Sequence, residues 1–334
     1  MSDPFDASYR AVAGLLEGGR RFLVTGHRNP DGDALGSALG LALALEAHGK
    51  EARVVMRDGW SAAYAGMPGI DRVAVAEALP PDWPAGWDAL VAMECPSADR
   101  TGWPNQGLGR VANVDHHPGN TLWGSVNLVD LPAAAVGEIV ADLLALLGWP
   151  LTPAVATNLW VSLVSDTGSF RYGNTTPKAL ALGARLVSAG ASPAAVNEFL
   201  FEAQPLPTLR LEALVLGTLA LHAGGRVATV ELPKRFLRES GAREEDAEGL
   251  VNRARGIDGV LAAALVREGD AGEIRCSLRS KGRVDVRAVA ARHGGGGHRN
   301  AAGCRLAGTI DSVRPLLAAD LAAAVAAAAA EAAP

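Results

Sequence analysis

Short, continuously apolar runs alternate with longer stretches of helical period through the first half of the chain. RFLVTG (21–26), EARVVM (51–56), DALVAM (88–93) and RVANVD (110–115) read as strands, while 34–49 (ALGSALGLALALEAHG), 133–147, 153–165 and TPKALALGARLVSAG read as helices. Strand and helix in alternation predict an α/β fold, a mostly parallel sheet flanked by helices. Ligands in such sheets sit beyond the carboxyl ends of the strands. The polar residues that follow each apolar run are therefore the informative ones.

The pattern is interrupted by a polar, Pro-containing passage, EAQPLPTLR (202–210). It resumes with the strand candidates RVATVEL and EIRCSLRS and with further helices, so a first domain over 1–188, a linker over 189–215 and a second, smaller α/β domain over 216–330 are expected. A length of 334 residues suits two domains. The Ala-rich end, LAAAVAAAAAEAAP, is a good helix former and reads as a terminal packing helix without a function of its own.

Composition narrows the function. With 49% hydrophobic and 20% charged residues the chain is ordinary globular material. A net charge of -5 disfavours long nucleic acid, whose non-specific affinity comes from Lys and Arg neutralising many phosphates, so any nucleic-acid substrate is expected to be short. Cys95, Cys276 and Cys304 are odd in number and far apart, which argues against a disulfide framework or a CxxC zinc site and for a reducing, cytoplasmic home. MSDPFDASYR has no secretory apolar core, and the run Ala38 to Leu45 is far shorter than the roughly 20 residues that span a bilayer, so no membrane association is expected. The scattered tryptophans read as packing residues, and a homodimer is the default assembly.

Candidate chemistry gathers at the element ends. His27-Arg28-Asn29-Pro30-Asp31-Gly32-Asp33 follows the first strand and puts an imidazole and two carboxylates in one loop before a helix. Taken alone, Asp31 or Asp33 is as well explained as a helix cap. Glu94 then follows DALVAM, Asp115-His116-His117 follows RVANV, and Asp166 lies in VSLVSDTGSF. Acid and imidazole groups at several separate strand and helix ends are what a cage for two divalent cations requires. Oxygen and imidazole donors without thiolate favour Mn²⁺, with Mg²⁺ the second choice, over structural zinc.

HRNPDGDALGS, NVDHHPGN and SDTGSFRY resemble, in order, motifs of the DHH phosphoesterases. That resemblance implies that His27 and Asp31 hold one metal, that Asp33, His116 and Asp166 hold the other, and that a carboxylate bridges them. It further implies that His117 faces the scissile phosphate and that Asp115 orients the neighbouring histidines. The bridging residue is ordinarily Asp, and the aligned residue here is Glu94 in VAMECPSADR, which is expected to bridge despite its extra methylene. Arg100, near the end of that motif, is a candidate phosphate contact in the catalytic set.

Near the C-terminus, RHGGGGHRNAAGC carries Gly294, Gly295, Gly296 and Gly297 ahead of His298. Glycine runs allow backbone amides to approach a phosphate closely. Arg275, Arg279, Lys281, Arg283, Arg287, Arg292, Arg299 and Arg305 surround the run against a single acid, Asp285, which points to an anion-binding face in a chain that is acidic overall. CSLRSKGRVDVRAVAARHGGGGHRNAAG resembles the substrate-binding domain commonly attached to DHH proteins. By that resemblance Arg279, Ser280, the glycines, His298 and Arg299 grip a nucleotide, and the linker leads to the expectation that the substrate lies in a cleft between the domains. The whole chain resembles the oligoribonuclease and 3'-phosphoadenosine 5'-phosphate phosphatase branch, which implies hydrolysis of short RNA or a small nucleotide. A cyclic- or linear-dinucleotide phosphodiesterase is the neighbouring alternative. A non-catalytic nucleotide sensor, its metal site weakened by Glu94, is the alternative of another class.

Overall fold

Alternation of strand and helix builds two separate sheets. The computed structural model describes residues 7–103, 107–247, 249–270 and 272–330, and the chain divides after Ala203 into two units. The first six and last four residues, which belong to the N-terminal and Ala-rich segments read above, lie outside the described residues.

The first unit runs α1 (Ala7–Gly18), β1 (Arg21–Thr25), α2 (Gly32–Ala47), β2 (Glu51–Met56), β3 (Ala74–Val75), β4 (Ala89–Met93), β5 (Val111–Asp115), β6 (Val126–Val129), α3 (Val136–Leu146), α4 (Pro153–Asp166), α5 (Pro177–Ser188) and α6 (Pro193–Phe201). Its sheet is parallel throughout, in the order β3-β2-β1-β4-β5-β6. The chain leaves β1 toward β2 on one side and returns to β4 on the other, so the sheet changes winding direction between β1 and β4. The connections diverge there and leave a crevice at the strands' carboxyl ends.

Burial explains why β4 and β5 lie inside: every residue of ALVAM and VANVD is buried. Successive side chains of β5 point to opposite faces. Ala112 and Val114 join the larger core with α2, α3 and α4, while Val111 packs with Leu23, Leu90, Cys95 and Trp103 on the other face. Helices α2 and α4 approach closely because α2 carries glycine at the contact: a Cβ on Gly36 would lie 2.4 Å from the Asn158 carbonyl oxygen. That approach brings the start of α2 and the end of α4 to the same crevice.

The second unit runs α7 (Leu206–Leu216), β7 (Ala220–His222), β8 (Val227–Leu232), α8 (Lys234–Ser240), α9 (Leu250–Arg255), β9 (Ala262–Glu268), β10 (Glu273–Ser280), α10 (Val286–Arg292), β11 (Gly296–His298), β12 (Ala301–Ala307) and α11 (Ile310–Ala330). Its sheet, ordered β11-β12-β10-β9-β8-β7, is mixed, with only β8 and β9 parallel. Along β10 burial alternates: Ile274, Cys276, Leu278 and Ser280 face inward, while Arg275, Ser277 and Arg279 are half-buried on the other face.

Several expectations are revised. The passage 189–215 contains the division between the units after Ala203 and is largely helical: Ser192 caps α6 through the Ala195 N–H, and the prolines at 193 and 207 sit in first turns, where a missing N–H costs nothing. The glycine run contributes an edge strand, β11. The Ala-rich end belongs to a longer helix, α11, which is long and apolar enough to cross a membrane by length and composition. It packs Val313, Leu317, Leu321 and Val325 into the core of the second unit. The cysteines are free and buried, and Cys276 and Cys304 are cross-strand neighbours in register.

Candidate metal centre

The turn after β1 places His27 inside the crevice. Its Nδ1 donates to the Arg28 carbonyl at 2.8 Å, which aims Nε2 inward, 3.6 Å from Asp31 Oδ2 and 3.4 Å from Glu94 Oε2. Asp31 divides its oxygens. Oδ1 caps α2 by accepting from the N–H groups of Asp33 and Ala34, each at 3.0 Å, while Oδ2 turns to His27. Cap and ligand-type donor, alternatives in the sequence, are two atoms of one side chain.

Asp33 is fully buried in the first turn of α2. Oδ2 accepts from the Val136 N–H at 2.7 Å, and Oδ1 accepts from the Gly137 N–H at 3.2 Å and from Ser162 Oγ at 2.5 Å. Those amides are free first-turn donors of α3, whose dipole favours a carboxylate there. His116 follows β5, donates from Nδ1 to the Ala133 carbonyl at 3.0 Å, and presents Nε2 3.2 Å from Asp166 Oδ2 and 3.8 Å from Asp33 Oδ2. Asp166 is the last residue of α4.

Glu94 stands among all of them. Its N–H donates to the Val114 carbonyl at 2.9 Å, its backbone has the left-handed φ of 58°, and its side chain is buried. Donor atoms of His27, Asp31 and Glu94 all lie within 4.8 Å of one another, as do those of Asp33, Glu94, His116 and Asp166, and those of Glu94, His116 and His117. Glu94 belongs to each group.

Electrostatics show what the cluster lacks. Burial, then the neighbouring Asp166, pushes Asp33 up to about 7. Burial, then Asp33, holds Glu94 well above the ordinary carboxylate range. Burial opposes charge on the imidazoles, but Asp31 and Glu94 raise His27 to about 10, and Asp166 and Asp33 raise His116 to about 10. Asp31, despite burial, is lowered to about 2 by His27. Buried carboxylates this close to one another call for compensating positive charge. Glu94 Oε2 is buried and accepts no hydrogen bond among the described residues. An orphaned buried acceptor ringed by carboxylates and inward imidazole nitrogens fits hard divalent cations.

His117 differs. Its Nδ1 donates to Asp115 Oδ1 at 2.9 Å, and its side chain is 41% exposed, so Nε2 is left for a ligand. Asp115 was expected to orient both histidines. Its carboxylate holds the ring of His117 and reaches only the backbone N–H of His116, whose ring, edge-on to His117, donates to the Ala133 carbonyl. Despite burial, His117 and Asn120 lower the pKa of Asp115, which keeps it an acceptor. Arg100 is exposed on a 3-10 turn (Ala98–Thr101), and its carbonyl accepts the Arg28 N–H at 2.7 Å. Its guanidinium makes no hydrogen bond or ion pair among the described residues. Sequence reasoning missed Ser162, Asn113 and Asn120; polar residues at buried positions of the apolar runs VANVD and VSLVSD were the available signal for Asn113 and Ser162, while Asn120 lies in the loop after β5.

In the second unit, His298 on β11 and Arg279 on β10 both lie opposite Ala301 of β12, so the three form one lateral row on one sheet face. Gly296 and Gly303 pair two positions along, on the same face. A Cβ at Gly295 would lie 2.2 Å from the Gly303 carbonyl oxygen, and Gly297 has a φ of 138° that favours glycine. Ser280, expected among the grip residues, faces the other way: it is buried, donates to the Val284 carbonyl at 2.7 Å and accepts from Asn300 Nδ2 at 2.8 Å. Arg299 is exposed and donates to the Arg283 carbonyl.

Family models match both units: the DHH family N-terminal domain over residues 21–161 and the DHHA1 domain over 224–331. The chain is 36% identical over 303 residues to a bifunctional oligoribonuclease and PAP phosphatase NrnA from Thermus thermophilus, covering 90% of this chain and 88% of that protein. It is 27% identical to the protein of the same description from Bacillus subtilis, covering 84% and 87%. Among solved structures, an exopolyphosphatase-related protein from Bacteroides fragilis superposes with a TM-score of 0.87 at 22% identity, covering 96% of this chain and 97% of that one, which is a likeness of fold.

Proposed function

The chain belongs to the DHH family, and from that premise we propose that it is a metal-dependent phosphoesterase that hydrolyses short oligoribonucleotides to mononucleotides and dephosphorylates 3'-phosphoadenosine 5'-phosphate. The observation that carries this reading is the sharing of Glu94 between the His27/Asp31 group and the Asp33/His116/Asp166 group. Those residues would hold two divalent cations, Mn²⁺ by preference, whose charge neutralises a phosphate ester and makes water a better nucleophile.

The remaining work falls to the protein. His27 and His116 keep their inner nitrogens aimed by carbonyl hydrogen bonds on the opposite ring atoms. His117, fixed by Asp115 through Nδ1, offers Nε2 to the substrate and, once Nε2 is protonated, can deliver that proton to the departing ester oxygen. The row of Arg279 and His298 beside paired glycines offers a cation, an imidazole and bare backbone to a nucleotide. A net charge of -5 supports short substrates over long ones.

The test is product analysis with Mn²⁺ and a panel of RNA 2-mers to 24-mers, 3'-phosphoadenosine 5'-phosphate, cyclic di-AMP and pyrophosphate. Mononucleotides released fastest from the shortest RNAs, with turnover abolished by chelation and by Asp115→Ala, is the expected result. Nucleotide affinity without turnover of any substrate would replace the enzyme by a sensor.

A further inference from the structure

β5 carries an asparagine between the apolar residues Ala112 and Val114. Asn113 is fully buried, and a buried carboxamide is costly unless its donors and acceptor are matched. It is matched, in one direction. Nδ2 donates to the Cys95 carbonyl at 2.9 Å, and Oδ1 accepts from Asn120 Nδ2 at 2.8 Å. The same Asn120 nitrogen reaches Asp115 Oδ2 at 2.6 Å, while Asn120 Oδ1 accepts from the Leu122 N–H at 2.7 Å. Carbonyl and carboxylate groups accept only and a backbone N–H donates only, so both amides have a single consistent orientation. Asn113 and Asp115 share a strand face because they are two residues apart. Asn120 closes over both from the following loop.

The far ends of this chain of hydrogen bonds matter. One is the carbonyl of Cys95, which follows Glu94 and its left-handed backbone and also accepts from Trp123 Nε1 at 2.8 Å. The other is His117, whose Nδ1–H is held by the remaining oxygen of Asp115. Two loops from different strands are thereby coupled through amides that are not themselves among the ligand-type residues. The Asn120 hydrogen bond to Oδ2 restricts rotation of the Asp115 carboxylate and so helps to fix the oxygen that selects the His117 tautomer.

We propose that Asn120 is a positioning residue for the phosphoesterase reaction. It locks Asp115 so that His117 is held as the Nδ1–H tautomer with Nε2 toward the substrate, and Asn113 ties this lock to the turn that carries Glu94. The inference rests on the phosphoesterase reading, and the experiment separates the two.

Asn120→Ala and Asn120→Gln are compared with the parent protein loaded with Mg²⁺. Kinetics are read on an RNA 2-mer, cation stoichiometry by calorimetry and the His117 ring by ¹⁵N NMR of histidine-labelled protein. The expected result for Asn120→Ala is a kcat lower by about 10- to 100-fold with KM and cation stoichiometry unchanged, and ¹⁵N shifts of His117 that move from a single Nδ1–H tautomer toward a mixture. Partial recovery of both kcat and the tautomer is expected in Asn120→Gln. Unchanged ¹⁵N shifts in Asn120→Ala would overturn the inference, as would a kcat loss that tracks lost cations or lost folding. An inactive parent protein would instead overturn the phosphoesterase reading, and the NMR result would still decide whether Asn120 sets the tautomer.

Discussion

Ser162 Oγ on α4 donates to Asp33 Oδ1 on α2 at 2.5 Å across a separation of 129 positions, and the Gly137 N–H donates to both atoms. Asp33 is therefore held by a hydroxyl and by the first turn of α3, with no water needed.

Ser162→Ala should leave that carboxylate short of a donor in a fully buried site. A destabilisation of about 1 to 3 kcal/mol is expected, measured as a lower urea midpoint, together with weaker Mn²⁺ binding by calorimetry. A variant with the parent midpoint and the parent affinity would show that the α3 amides alone hold Asp33.

Glu94→Gln should separate stability from function. Burial and Asp33 make a charge on Glu94 unfavourable in the folded protein, so the neutral isostere should melt higher in chelator by roughly 0.5 to 2 kcal/mol. It should also bind fewer Mn²⁺ ions and lose turnover. Full stoichiometry in this variant would remove Glu94 from its bridging role.

The melting temperature with and without cation should depend on pH in a defined direction. Asp33 titrates at 3.8 when unfolded and at about 7 when folded, so chelated protein loses stability as pH rises through that interval. His27 and His116, raised from 6.5 to about 10, contribute stability that is present below 6.5 and lost as pH rises toward 10. Cations compete with those protons. The gap between Mn²⁺-loaded and EDTA-treated melting temperatures should therefore widen from about pH 4 to about pH 10; a gap that narrows over this window would contradict the assignment of these groups.

Gly295→Ala puts a methyl against the backbone carbonyl of Gly303 and the Cβ of Cys304, 2.2 and 2.6 Å away. Backbone cannot yield cheaply, so the edge pairing of β11 with β12 should weaken by about 1 to 3 kcal/mol. Faster amide exchange over 294–304 and weaker nucleotide binding are expected, with cation binding in the first unit unchanged. Parent-like nucleotide affinity would take the glycine run out of the binding face.

The strands of the first unit were legible because a fully buried parallel strand is a short apolar run, and the donors at their ends were legible because acids and histidines there have no packing role. The helices over 189–215 were not, since Pro193 and Pro207 punctuate a chain equally well as breakers and as first-turn residues. Ser280 was misread for a related reason: its neighbours Arg279 and Lys281 made the segment look uniformly anion-binding, whereas strand alternation turns Ser280 inward.

The amino-acid order by itself determined the α/β alternation, the donor types at each strand end and the basic, glycine-rich segment, since each of these is a local pattern of period or chemistry. Tertiary structure alone decided that Asp31 divides its oxygens between cap and cluster, that Glu94 belongs to every ligand group, that His116 and His117 are oriented by different partners, and that Asn113 and Asn120 couple two loops. Hydrogen bonds between side chains on separate elements leave no periodic trace along the chain, because they depend on which faces the packed helices and strands bring within 3 Å of one another.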